Sequence, residues 1–120
     1  MEQFEIIPFV KENGSVPVFE FIEAQNPKMT AKIYGEIDLL QVQGFNLDTK
    51  HSKHLDDGIF ELRIQFSNDI SRVLYFFHTG KKIVLTNGFI KKTRKTPPEE
   101  IRRAKRYRTE FLKREKEKSS

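Results

Sequence analysis

Six residues stand out by type and spacing: Lys53, His54, Glu61, Arg63, Arg72 and Lys91. A guanidinium is a planar fork that fits two phosphate oxygens, so Arg63 and Arg72 are candidates to hold a phosphate and the charge that develops on it. Lys91 is a candidate clamp or proton donor, with Lys92 as its substitute, because a lysine among cations gives up its proton more readily. Glu61 is a candidate base, or a carboxylate that holds Arg63 in place. Lys53 and His54 are secondary candidates for the base. Lys53 also suits a further phosphate, as do Lys92, Arg94 and Lys95, which continue the basic run. Plainer readings stand beside these. Glu61 and Arg63 at i, i+2 on a strand also make an ordinary surface pair, worth about 0–1 kcal/mol. The basic run also suits a solvated loop, and His51 and His78 read as surface residues. Asp56 and Asp57 near His51 and His54 have no spacing that fixes three or four metal ligands on one element. There is no glycine-rich phosphate loop and no defensible Ser-His-Asp arrangement. No metal or other cofactor is expected.

The elements that must position these residues follow from periodicity. Residues 4–10 are short, apolar and rich in strand formers, and Pro8 places them at a sheet edge. Pro17 opens a helix with Val18, Phe21 and Ile22 on one face. Asn26-Pro27 restarts the chain as cap and first helical residue, with Met29, Ile33, Ile37 and Leu40 in one stripe and Gly44 as the stop. These two helices form a hairpin. Residues 59–66 then alternate, with Phe60, Leu62, Ile64 and Phe66 on one face and Glu61, Arg63 and Gln65 on the other. Residues 72–78 and 82–90 read as two more strands joined by short turns. Thr96-Pro97-Pro98-Glu99 reads as a helix start with Thr96 as cap, and Ile101, Ala104, Phe111 and Leu112 give that helix a narrow apolar stripe. The expected fold is α+β: a three-stranded antiparallel meander plus an N-terminal edge strand, packed by the helical hairpin, with a basic C-terminal helix. The polar face of the meander is expected to be open. Residues 113–120 read as a frayed or disordered tail.

Composition sets the frame. The 120 residues suit one domain, spanning 1–120. Leu, Ile, Val and Phe make up 30% of the chain, enough for a packed core. No cysteine is present, which excludes disulfides, thiolate metal sites and a cysteine nucleophile. No apolar run approaches the ~20 residues of a membrane span, and the acidic N-terminus does not read as a signal peptide. A cytoplasmic protein without membrane contact is expected. The charge is uneven: residues 1–49 carry net −5, residues 50–80 net zero and residues 81–120 net +10. The basic end suits a polyanionic partner and, equally, a solvated charged helix.

The motifs resemble a known family. Lys53-His54-Leu55-Asp56-Asp57-Gly58-Ile59-Phe60-Glu61-Leu62-Arg63 resembles the K-x-L-x-x-G-[LI]-[FW]-E-L-R signature of the phage-derived, HigB-like branch of the RelE/ParE toxin superfamily. Arg72-Val73-Leu74-Tyr75-Phe76-Phe77 resembles its R-I-L-Y-F-F strand, and the stretch from Asn87 to Pro97 resembles H-G-F-x-K-K-T-x-K-T-P. Val16 to Ile22 and Glu99 to Ala104 are similar to its x-P-V-x-x-F-L and x-E-I-x-x-A segments. Asn87 is a departure, standing where many relatives have histidine.

The resemblance implies a RelE-like fold and the toxin part of a type II toxin-antitoxin system. It implies a ribosome-dependent endoribonuclease that cuts message and stops translation. The implied partner is a HigA-like antitoxin with a helix-turn-helix domain, through which alone the toxin would reach operator DNA. RNA can be cut without metal or water when the 2′-OH attacks the adjacent phosphorus in line and the 5′-oxygen leaves. The resemblance points to Arg63, Arg72, Lys91 and Glu61 for that work, and Tyr75 is a candidate to stack on a base. The competing expectation keeps the fold but changes the class: a ParE-like toxin that inhibits DNA gyrase by binding, without RNA cleavage.

Overall fold

Asn26 and Pro27 start the longer helix of the hairpin as their types demand. In the computed structural model, which describes residues 3–119, the Asn26 side chain accepts from Met29 N at 2.9 Å and Pro27 is the first helical residue. The elements are β1 (Glu5–Pro8), α1 (Pro17–Glu23), α2 (Pro27–Gln43), a short 3-10 turn at Gly44–Asn46, β2 (Ser52–Asp56), β3 (Ile59–Phe66), β4 (Asp69–His78), β5 (Lys82–Ile90) and α3 (Pro98–Lys118). The stripe Met29, Ile33, Ile37 and Leu40 is buried throughout.

The sheet has five strands in the order β1-β5-β4-β3-β2. This corrects the expected four in two ways. First, β2 is an additional strand, paired antiparallel with β3 through a bulge between His54 and Asp56. Its hairpin turn is Asp57-Gly58, with φ of 50° and 78°, the dipeptide that two-residue hairpins prefer. Second, the sheet is mixed. The chain leaves β1 through two helices and returns at the far edge, and the meander walks back until β5 lies parallel to β1. Pro8 sits on that edge strand, as its missing donor requires.

The two faces of the sheet carry separate cores. Leu62, Ile64, Val73, Tyr75, Ile83 and Leu85 pack beneath α1 and α2. The opposite face carries Ile59, Leu74, Phe76, Val84 and Phe89, and α3 covers it with Ala104, Tyr107 and Phe111. The polar face of the meander is therefore largely roofed rather than open. Tyr107, absent from the expected stripe, completes the i, i+3, i+7 spacing and stacks on Phe9 at 4.7 Å between ring centroids. Leu112, expected in the stripe, is exposed.

Two expectations for α3 are also corrected. Its cap position is Pro97, and Thr96 is spent elsewhere. Residues 113–118 are helical rather than frayed, because Arg114 anchors them: its guanidinium lies 5.3 Å from the Phe9 ring centre and donates to Val10 O and Glu110. Ser120 lies outside the described residues.

Close packing makes one glycine in β5 indispensable. A Cβ on Gly88 would meet Phe21 Cδ2 at 2.3 Å, a distance no side chain tolerates without movement. Gly88→Ala is expected to destabilise the protein by about 1–3 kcal/mol through overpacking between β5 and α1, read as a lower urea midpoint. An unchanged midpoint would contradict this packing.

Candidate functional site

Register brings the two arginines together. Arg63 of β3 is paired directly with Arg72 of β4, and side chains of directly opposed residues share a face. Two like charges opposed in this way repel, so a counter-charge is required. Glu61, two residues along β3 and on the same face, supplies it. Its Oε2 accepts from Arg63 Nε at 3.1 Å and lies 3.6 Å from Arg72 Nε. Its Oε1 accepts from the Thr96 hydroxyl at 2.6 Å, which is why Thr96 does not cap α3. Glu61 is only 1% exposed. Of the two roles left open for it, this geometry fits a carboxylate that fixes both guanidinium groups and not a proton acceptor open to substrate.

The arginines differ in access. Arg63 has a side-chain exposure of 30% and also donates from Nη1 to Thr49 O at 3.2 Å. Arg72 is buried and donates from Nη1 to Ser71 O at 3.1 Å. Its buried Nε has no hydrogen-bond partner among the described residues. A buried donor in that condition costs free energy that an anion would recover. Burial pushes the Arg72 guanidinium below its ordinary value, Glu61 opposes this and Arg63 adds to it. An arginine remains charged nonetheless.

Lys91 completes the cluster from the end of β5. Its backbone N–H donates to Ile70 O at 2.9 Å, which holds the strand end against β4. Burial lowers its side-chain pKa below the usual lysine value, and repulsion from Arg72, Arg63 and Lys53 lowers it further against the pull of Glu61. Lys53 belongs here because it is paired with Glu61 and shares its face. Four cations thus surround one carboxylate, an arrangement suited to a phosphate. Lys92, Arg94 and Lys95 follow as exposed residues of the loop before α3.

Two candidates fall outside this cluster. His54 is paired with Phe60, on the opposite face of the sheet, and its Nε2 accepts from Gly58 N at 3.1 Å. Alternation along β2 separates it from Lys53 and from the arginines. Tyr75 is 1% exposed, lies stacked on Phe60 and bonds Ser52 Oγ through its hydroxyl at 2.5 Å. Burial raises its pKa. It is a core residue and presents no face for a base. Asn87 is also structural: its Nδ2 donates to Glu100 O at 3.3 Å and to Glu100 Oε1 at 3.0 Å, tying β5 to α3.

The structure adds a residue that the sequence reading left on the surface. A cleft of about 260 Å³ opens beside the arginines, lined by Lys32, Glu36, Lys50, His51, Arg63 and Arg72 among others. In it His51 Nδ1 and Glu36 Oε2 are 2.8 Å apart. The pair joins α2 to the residue before β2, and no local pattern in the sequence signals it. Among the described residues, no three His, Asp or Glu side chains are grouped as a metal site requires, and no helix is long and apolar enough to cross a membrane.

Residues 20–109 match the model of the family described as phage derived protein Gp49-like (DUF891). The chain belongs to the Gp49-like family. No curated protein matches it. The matched segment of this Gp49-like protein runs from α1 into α3 and includes Glu36, His51, Glu61, Arg63, Arg72 and Lys91.

The depressed pKa of Lys91 has a chemical consequence in this Gp49-like protein. A lowered pKa leaves more of its amine unprotonated near neutral pH, so it is expected to acylate faster than exposed Lys92 and Lys95. Inorganic phosphate is expected to slow that reaction selectively by occupying the cluster. Peptide mass spectrometry checks both, and equal rates at the three lysines would contradict the placement of Lys91.

Proposed function

We propose that this protein is the toxin of a type II toxin-antitoxin pair, of the HigB-like branch of the RelE/ParE superfamily, and that it cleaves message on the ribosome. The observation that carries the reading is the cluster of Arg63, Arg72, Lys91 and Lys53 around the buried Glu61 carboxylate. Family membership and the motif resemblance support it. In-line attack by a 2′-OH needs an oriented backbone, stabilised phosphate oxygens and a proton for the leaving 5′-oxygen. Arg63 and Arg72 serve the phosphate oxygens. Lys91 serves as proton donor, since a lowered pKa brings a general acid nearer to working pH. Glu61 holds the arginines in position. Lys53, Lys92, Arg94 and Lys95 bind neighbouring phosphates. The cluster offers charge but no exposed aromatic face, so positioning of the message falls to the ribosome. A HigA-like antitoxin with a helix-turn-helix domain is the proposed partner, and operator DNA is reached only through it.

Expression in growing cells, followed by primer extension on abundant messages, tests this reading. Growth arrest with new 5′ ends at a fixed place within codons is expected. Arrest with intact message and an induced DNA-damage response would overturn it in favour of gyrase inhibition. Harmless expression would overturn toxicity altogether.

A further inference from the structure

In-line cleavage needs a base to take the 2′-OH proton, and Glu61 is not available for it. Its Oε1 is bound by Thr96, its Oε2 by Arg63, and it is 1% exposed. His54 lies on the other face of the sheet. We infer that His51, oriented by Glu36, is the general base of this site, an assignment that rests on the ribonuclease reading.

Three observations place His51 in that role. Arg63 N donates to His51 O at 2.8 Å, which fixes the histidine backbone beside the first arginine. Arg63 is in turn paired with Arg72 and Arg72 with Phe89, two residues before Lys91. A row across the sheet thus runs from His51 through the two guanidinium groups towards Lys91, with a base at one end and an acid at the other. Finally, His51 Nδ1 faces Glu36 Oε2 at 2.8 Å, so the ring carries its proton on Nδ1, and Nε2 makes no hydrogen bond to the described residues. That is the tautomer a general base requires, selected by a carboxylate as in other His-carboxylate pairs. The charged groups that line the same cleft as His51 are Glu36 and Lys32 from α2, the adjacent Lys50, Arg63 from β3 and Arg72 from β4.

The step balances. Neutral His51 Nε2 takes the 2′-OH proton while O2′ bonds to phosphorus. The P–O5′ bond breaks, and protonated Lys91 gives its proton to O5′. The products are a 2′,3′-cyclic phosphate and a 5′-OH, with His51 left cationic and Lys91 neutral. Solvent exchange restores both. Glu36 acts as a positioning residue through His51.

The test compares purified wild type, His51→Gln and Glu36→Gln on ribosomes programmed with a defined message, measuring single-turnover cleavage against pH and ribosome binding separately. His51→Gln is expected to slow cleavage by about 10²–10⁴-fold, the range for loss of a general base, with ribosome binding unchanged. It is also expected to abolish the fall in rate on the acid side of the profile. Glu36→Gln is expected to slow cleavage about tenfold, in line with loss of a histidine's orienting partner, and to keep that acid limb. A His51→Gln protein that cleaves at the wild-type rate, or keeps the acid limb, would overturn the assignment of His51 alone. Wild type that leaves the message intact would overturn the ribonuclease reading and the base assignment with it.

Discussion

Arg63→Ala is expected to lower message cleavage by about 10²–10³-fold, the usual cost of removing one donor to developing charge, while leaving the folded protein nearly as stable. The two halves of that result have one origin. Arg63 is the accessible arginine, with a side-chain exposure of 30%, so its loss opens no buried cavity. Its removal also relieves a like-charge opposition to Arg72 across the β3–β4 pair. Glu61 retains Arg72 as its partner. Arg63→Lys is expected to recover little, because a point charge on a flexible stem cannot replace a fork aimed at two oxygens. Full activity in Arg63→Ala, measured as single-turnover cleavage beside a thermal melt, would remove Arg63 from the site.

Glu61→Leu is expected to do the reverse, with its largest effect on folding. It leaves Arg72 buried without a counter-charge and removes the acceptor of Thr96. Breaking a buried ion pair from one side costs about 3–5 kcal/mol. For a chain of 120 residues that corresponds to a fall in Tm of roughly 10–20 °C. The double variant Glu61→Leu with Arg72→Met is expected to recover much of the lost stability without recovering activity, since an apolar pair fills the same space. A melt within a few degrees of wild type for Glu61→Leu alone would mean that the carboxylate is not what holds the arginines.

Much of the site was legible because it depends on local pairing. The short turn after Phe66 brings Arg72 back beside Arg63, and alternation along β3 puts Glu61 on the same face. The helical hairpin was legible for a similar reason: Asn26, Pro27 and Gly44 are local signals, and the Met29 to Leu40 stripe is regular. What was not legible depends on contacts distant in sequence. Glu61 is buried because α3 roofs that face and Thr96 reaches back to it. His51 becomes a candidate base only because α2 carries Glu36 past it. Tyr75 reads first as core, within an aromatic run, and second as a stacking surface, and its burial and its Ser52 partner decide for the core. One signal is local but incomplete. Asp57-Gly58 marks a hairpin turn, but Ser52–Asp56 holds a single apolar residue, so its alternation gives no hydrophobic pattern. The stability of the last turns of α3 rests on Arg114 crossing to β1's exit at Phe9 and Val10, which charge counting cannot show.

The most direct measurement is the chemistry of the cut ends. Purified protein is incubated with ribosomes carrying a defined message, and with the same message bearing one 2′-deoxynucleotide on the 5′ side of the mapped cut. Fragments ending in a 2′,3′-cyclic phosphate and beginning with a 5′-OH are expected from the all-ribose message, with no cut at the deoxy position. Cleavage of the deoxy-substituted bond, or 5′-phosphate ends, would contradict in-line attack at the Arg63–Arg72 cluster, and uncut message would contradict the ribonuclease itself.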